Sequence, residues 1–278
     1  MRRASLKRLG AGVGYYGVLG ILTAAALVPT LWVMLSSFKT GGQIFSGSGL
    51  IPHPFTLQGY TDAFRQAHLE HYLFTTALYA VGGSLGALVT GLLAAYPMAR
   101  YQFPGRNTLV ASFSLALAIP VVGLATPEFF VVRKLGLFDT QLGLVIFYSA
   151  LFFPLAFVIL RAFMVSLPPE LEEAAIVDGA GYFVIIRKIV VPLSRPALAT
   201  VLVVVFVGIW NEFFFANLLT ASSGTQNVQL ALASFHSQFN FNVTAMLAGT
   251  TVVMVVPIIT FLLLQRQVIA GLTAGTTR

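Results

Sequence analysis

Gly82, Ser84 and Gly86 spell GxSxG, the spacing that presents a serine nucleophile on a strand-to-helix elbow. They sit inside a long apolar run where no such elbow can form, and an intramembrane serine would also need a histidine within a span to activate it. The four histidines, His53, His68, His71 and His236, all fall in loops or at the edges of apolar runs. Gly82 and Gly86 make better sense as a GxxxG face on which two membrane helices approach closely. Gly12, Gly14 and Gly17 spell GxGxxG, but no strand precedes them, so a dinucleotide fold is not expected. His68 and His71 stand three apart without further ligands nearby, and no metal site is expected. The chain has no cysteine, which removes disulfides and thiolate chemistry. No GxxxxGK(S/T) phosphate loop occurs, so energy for any transport must come from another subunit or from an ion gradient.

Two stretches remain. Pro168 to Pro192, PPELEEAAIVDGAGYFVIIRKIVVP, is the only long segment rich in charge, with Glu170, Glu172, Glu173, Asp178, Arg187 and Lys188. It is expected to sit in water as two short helices. Pro168 and Pro169 suit a first helical turn and the glutamates face the positive end of the helix dipole. Gly179, Ala180 and Gly181 should stop that helix; a second should run from Tyr182 towards Val190, with Pro192 closing it. The other stretch is Trp210, Asn211 and Glu212, within the outer part of an apolar run. An ionisable group there is costly, and two readings stand: a translocation path, or a structural hydrogen bond at the interface with Trp210 as anchor. Glu128 is expected to be solvated.

The elements that carry these residues follow from composition. The chain has 278 residues, 57% hydrophobic and 9% charged, with a mean hydropathy of +0.87. These values exclude a soluble domain and predict an all-α membrane protein. Apolar runs of about 20 residues, enough to cross a bilayer, predict six transmembrane helices: Val13–Phe38, Tyr72–Ala99, Thr108–Val132, Leu142–Met164, Pro196–Leu219 and Ala245–Leu264. The first is too long for a cleaved signal peptide. Pro120, Pro154 and Pro257 interrupt the third, fourth and sixth. Of the 16 lysines and arginines, placing the amino terminus inside puts twelve on the inner side and four, at 39, 65, 133 and 134, on the outer. By the positive-inside rule both termini are then cytoplasmic, and so is the loop 165–195 between spans four and five. The net charge of +7 is thereby a topology signal, not a nucleic-acid site. No repeat or attached soluble domain is evident, so residues 1–278 are expected to form a single domain.

Glu173, Ala174 and Ala175, then Gly179, Ile189, Val191 and Pro192, resemble the cytoplasmic loop pattern of permease subunits of binding-protein-dependent ABC importers, with Val191 where leucine is usual. SSFKTGGQIF, PFTLQGYTDAF, AAYPMARYQFPGRN and WNEFFFANLLT resemble the carbohydrate-type permeases of that class, similar to the maltose system. The resemblance implies that the loop is a coupling helix docking on a separate ATPase, with Glu173, Ala174, Ala175, Asp178 and Gly179 transmitting force. It also implies a second, different permease subunit, two copies of a cytoplasmic P-loop ATPase that binds the ATP and magnesium, and an extracytoplasmic solute-binding protein. No cofactor is expected in this chain itself, which would be a multi-pass protein of a bacterial inner membrane and not an enzyme. The competing reading, a secondary transporter driven by an ion gradient, would want acidic or basic groups at mid-membrane, and Glu212 is the one acid well inside a span.

Overall fold

A backbone surrounded by lipid must satisfy its own hydrogen bonds, and the apolar runs of this chain do so by coiling into helices almost throughout. The computed structural model describes residues 2–47, 49–65, 68–237 and 240–274. Arg278, one of the basic residues behind the topology, and Gln238 and Phe239 of the uncharged outer loop lie outside the described residues. The helices are α1 Arg2–Ser36, α2 Gly41–Phe45, α3 Gln58–Arg65, α4 Leu69–Arg100, α5 Arg106–Leu115, α6 Ala125–Lys134, α7 Gln141–Ser166 and α8 Glu170–Val177. They continue as α9 Tyr182–Ile185, α10 Val191–Leu193, α11 Arg195–Trp210, α12 Phe214–Leu219, α13 Val228–Ser234 and α14 Val243–Ala274. Between α13 and α14 a two-residue antiparallel pair joins β1 His236–Ser237 to β2 Asn240–Phe241.

Four stretches are long and apolar enough to cross a membrane as single helices: Tyr15–Ser36, Leu69–Arg100, Gln141–Ser166 and Val243–Arg266. Two bent pairs, Arg106–Ala118 with Val121–Lys134 at 99° and Tyr182–Leu193 with Arg195–Trp210 at 75°, bring the number of candidate spans up to six where each pair counts as one. The third expected span, 108–132, is therefore not one helix. Pro120 lacks an N–H and forces the residue before it out of the helical region; Ile119 is extended, with ψ 125°, and the chain turns through short 3₁₀ segments on either side. The α7 and α14 helices run through Pro154 and Pro257 without a break. The fifth expected span, 196–219, is also corrected: its helix ends at Trp210 and restarts at Phe214.

The chain divides into two compact units, residues 1–69 with 232–254 and residues 70–231 with 255–278. In the first, Thr40 and Gln43 form a reciprocal capping box on α2. Ser37 Oγ and Tyr60 Oη lie 2.7 Å apart, and Asn242 Oδ1 caps α14 by accepting from Ala245 N at 3.0 Å while its amide donates to Asp62 at 3.2 Å. Gly59 lies inside α3, where a Cβ would come within 2.9 Å of the Thr244 carbonyl carbon. In the second unit, α7 packs against α11 and α5 and buries Leu144, Tyr148, Phe157 and Leu160. The Gly82 and Gly86 face of α4 lies against Val145 and Ser149 of α7, four residues apart in both helices; a Cβ at Gly86 would collide with Ser149, and one at Gly82 would press on the Val145 methyls at 3.0 Å. Ser84 lies inside α4 and not on a strand-to-helix elbow, and its hydroxyl donates to Val81 O at 3.1 Å within its own helix.

Candidate functional site

The charged segment folds as two short helices around a glycine turn, because each end supplies what a helix terminus needs. Pro169 takes the cap position of α8, where a missing N–H costs nothing, and three glutamates occupy the first turn. At the other end Gly179 adopts φ +82°. Its N–H donates to Ile176 O at 3.0 Å and that of Ala180 to Ala175 O at 2.9 Å, the paired bonds of a Schellman stop. Pro192 does not close the second helix. Ile186–Val190 widens into a π-turn, which spares Pro192 the clash an α-helix would impose on the carbonyl four residues back, and α10 follows directly.

One face of this segment is open. Glu173, Ala174, Asp178 and Gly179 are exposed and Ala175 is half-buried, and beside them Val177 and Phe183 are each 87% exposed. The opposite face is locked down. Glu172 was expected in water with its neighbours, yet it is only 8% exposed. Its carboxylate accepts from Arg100 Nε at 2.7 Å and from Tyr96 Oη at 2.9 Å. Arg100 Nη1 also donates to Leu167 O at 3.2 Å, so the end of α4, the end of α7 and the start of α8 meet at one guanidinium. Removing one partner of such a buried pair strands a charge and costs roughly 3 to 5 kcal/mol. Tyr101 stands edge-on to both Tyr96 and Tyr182, with centroids 6.1 and 5.9 Å apart, which ties the start of α9 to the same point. Burial, together with its bond to Tyr182, raises the Tyr101 phenol above its ordinary range, although the bond to Tyr96 acts the other way. Arg106 and Arg161 add two cations at the carbonyl end of α4, donating to Met98 O at 2.9 and 3.4 Å.

Glu212 lies in the break between α11 and α12. Its Oε1 accepts from Phe215 N at 2.7 Å, and its Oε2 from Ala216 N at 2.9 Å and from Tyr148 Oη at 2.7 Å. The carboxylate thus starts α12 by filling two of its unpaired donors, which is why one apolar run yields two helices. Trp210 is 2% exposed and its carbonyl accepts from Gln229 at 3.1 Å, whereas Asn211 is exposed and donates back to Val207 O at 2.9 Å. Glu128, expected to be solvated, has one carboxylate oxygen buried and without a partner among the described residues, beside a cavity of about 380 Å³ that Leu124, Val131, Phe147 and Leu151 help to line.

A third cluster holds the loop after α12. Asp139, at φ +54°, accepts from Ala221 N at 2.9 Å and Ser222 N at 3.0 Å, and from the Ser222 and Thr225 hydroxyls. Burial pushes its carboxyl up, but the donors from Ala221, Thr225 and Ser222 outweigh this and bring it down to about 2. Thr75 and Tyr79 of α4 donate to Gln226 O and Thr225 O at 2.8 and 2.6 Å, and Val228 N donates to Thr76 Oγ at 2.8 Å.

With a surface loop of alanines and acids, a broken bundle and a latched loop in place, the comparisons with known proteins decide the family. Residues 87–270 match the model described as the binding-protein-dependent transport system inner membrane component. The chain belongs to this family. Over 267 residues this inner membrane component is 36% identical to the trehalose transport system permease protein SugB of Mycobacterium tuberculosis, covering 95% of this chain and 97% of that one. It is 31% identical over 282 residues to the trehalose/maltose transport system permease protein MalG of Thermococcus litoralis, covering 100% and 99%. A chain of the crystal structure of a bacterial ABC transporter that imports the acidic polysaccharide alginate shares the fold, with TM-score 0.80, 23% identity and coverage of 92% and 95%. The family resemblance carried by the 173–192 pattern is borne out.

The matched region takes in the 165–195 segment, the 210–212 break and the Asp139 cluster alike. The structure brings Glu173, Ala174, Ala175, Asp178 and Gly179 onto one helix and its stop; Trp210, Asn211 and Glu212 form a separate group at the break. The Tyr96, Arg100 and Glu172 cluster was not foreseen. Its one sequence signal is an arginine in the last turn of a span that precedes an acid-rich loop on the same predicted side.

Proposed function

We infer that this inner membrane component is one of two different membrane-spanning subunits of an ATP-driven importer, working as a single transmembrane domain in a bacterial inner membrane. Its solute is a sugar, oligosaccharide or related polyol handed over by an extracytoplasmic binding protein. Both termini and the 165–195 segment face the cytoplasm, where each of two ATPase subunits holds ATP and magnesium. Closure of the ATPase pair moves the coupling segment, and the bundle opens outward to receive solute. The carrying observation is the open face of α8 and α9, where Val177 and Phe183 stand 87% exposed beside Glu173, Ala174, Ala175, Asp178 and the Gly179 turn. Apolar surface of this kind on a polar loop marks a protein interface. The sugar assignment is supported by the trehalose and maltose relatives that match nearly the whole chain. On the translocation side, the break at Trp210, Asn211 and Glu212 is the candidate stretch of path, with Asn211 as its exposed polar group and Glu212 holding the break open.

The test is to express the chain with its neighbouring genes, purify it in mild detergent, identify what accompanies it and assay ATP turnover and uptake in proteoliposomes. Recovery of a P-loop ATPase and a second permease, with ATP-dependent uptake of an oligosaccharide, is expected. A chain that purifies alone and moves solute under an ion gradient would overturn the proposal.

A further inference from the structure

The exposed face of α8 and α9 is useful for transmission only if a push on it moves the membrane helices, and the link that could do so is short. Between α7 and α8 the chain is Leu167, Pro168 and Pro169, a connection whose Leu167 is extended at ψ 135°. Neither proline has an N–H, so the connection itself has no donor there with which to bond to the bundle. Resting on the reading that the segment docks on an ATPase, we propose that Tyr96 and Arg100 are positioning residues that bolt the coupling segment to the cytoplasmic end of α4.

The geometry distributes the bolt over both halves of the segment. Glu172 secures α8 through Arg100 Nε at 2.7 Å and Tyr96 Oη at 2.9 Å. The ring contact of Tyr101 with Tyr182, at 5.9 Å, secures α9. Arg100 also holds the carbonyl of Leu167, the first residue of the connection, so the junction between α7 and α8 is fixed to the same guanidinium. These contacts lie on the inward side of α8, whereas Glu173, Ala174 and Asp178 remain exposed. A partner can therefore load the outer face without competing for the bolt. Movement of α8 must then carry α4, and α4 is packed closely along Gly82 and Gly86 against α7, so displacement passes into the bundle. The pair is also protected from salt and water, because the two side chains are 12% and 10% exposed.

The experiment uses the complete transporter with its binding protein in proteoliposomes and reads solute taken up per ATP hydrolysed. Glu172→Gln and Arg100→Met should retain the ATPase at wild-type stoichiometry and continue to hydrolyse ATP, while uptake per ATP falls about tenfold; Arg100→Lys should recover part of it. Tyr96→Phe, which removes one hydroxyl and is expected to insert normally, should lower the ratio two- to threefold. An unchanged ratio in Tyr96→Phe and Glu172→Gln overturns the proposal. Loss of the ATPase from these variants overturns it too, since the cluster would then merely shape the docking face. Because the chain has no cysteine, spin labels on Glu170→Cys and Phe103→Cys give a second measurement. Their separation should stay fixed through the nucleotide cycle in the otherwise wild-type transporter, and a change between nucleotide states overturns the rigid link. Wild-type transporter that shows no ATP-driven uptake at all defeats the importer reading instead, independently of every variant.

Discussion

The loop from Leu219 to Val228 and the segment from Leu167 to Leu193 both interrupt apolar helices in the same unit, yet they complete their bonding in opposite ways. In the first, neighbouring elements reach in for the backbone: Asp139 takes the N–H groups of Ala221 and Ser222, Gln141 donates to Gly224 O, and Thr75, Thr76 and Tyr79 hold Gln226, Val228 and Thr225. In the second, the backbone is satisfied largely within its own turns, and among the described residues the side-chain hydrogen bonds and ring contact from outside converge on Glu172, Leu167 and Tyr182. Ile185 and Val190 are buried, whereas Val177 and Phe183 are each 87% exposed. A loop latched by its neighbours needs no partner to be stable, whereas an open apolar face waits for one. Substitutions among the latching groups should therefore appear as stability of the isolated chain, and those on the open face of the second region as loss of assembly or coupling.

The largest stability effect should come from Glu212→Ala. It strands two helix N–H groups and the hydroxyl of Tyr148, which is 0% exposed. Each buried donor left without an acceptor costs roughly 1 to 3 kcal/mol. The purified chain in detergent should melt at least about 5 °C lower, at 2 to 4 °C per kcal/mol for a chain of this size. Tyr148→Phe should lose less, since both helix donors keep their carboxylate. An unshifted melt for Glu212→Ala would break the contrast at its strongest point.

Asp139 gives the next effect, read through pH. Its carboxyl is held at about 2 against an ordinary 3.8, so the folded state binds its proton less readily than the unfolded one. The stabilisation is then fully present above about pH 4 and is lost as pH falls towards 2. Wild-type chain should lose thermal stability across that window more steeply than Asp139→Asn, which starts lower because neutral acceptors bond more weakly. Asparagine tolerates the left-handed backbone at φ +54°, so the comparison isolates the charge. Parallel pH profiles would show that the latch does not depend on it.

How much of this was legible in the sequence depended on whether the cause was local. The runs behind α1, α4, α7 and α14 announce themselves by length and apolarity, and the stop at Gly179 by the residue that alone adopts φ +82° without strain. The breaks were harder. Pro120 was visible as an interruption, but the 99° bend follows from Ile119 being driven to extended backbone between two short 3₁₀ segments. The restart after Trp210 depends on where one carboxylate points, and nothing in WNEFFFANLLT distinguishes a capping glutamate from one that faces a path. Glu172 was misjudged for a similar reason. Glu170, Glu172 and Glu173 share a single turn, and only the position of Arg100, 72 residues earlier in the chain, selects the one that turns inward.

Gly179→Asp should cost about 1 kcal/mol, because φ +82° strains any residue with a Cβ, although aspartate suffers less than most and nothing beyond the chain neighbours lies within 4 Å of the added Cβ. It should nevertheless uncouple transport or release the ATPase, by placing a second carboxylate beside Asp178 on the exposed stop. Unchanged uptake would count against the coupling role of the segment.

The smallest stability effect, and the sharpest contrast, should come from Val177→Ser and Phe183→Ser. Each side chain is 87% exposed, so replacing it removes almost no packing in the isolated chain, and the melt should shift by less than about 0.5 kcal/mol, the usual range for surface positions. The same substitutions remove apolar area that only a partner can bury, at about 25 cal/mol per Å². The ATPase should therefore dissociate during purification of Phe183→Ser while the two permease chains stay together, and ATP turnover should fall with it. If Phe183→Ser instead lowered the melting temperature as much as Glu212→Ala and left the ATPase bound, α9 would be packed within the chain's own fold in the working transporter. The open face would then belong to the isolated chain alone, and the division between a self-satisfied loop and a waiting one would fail.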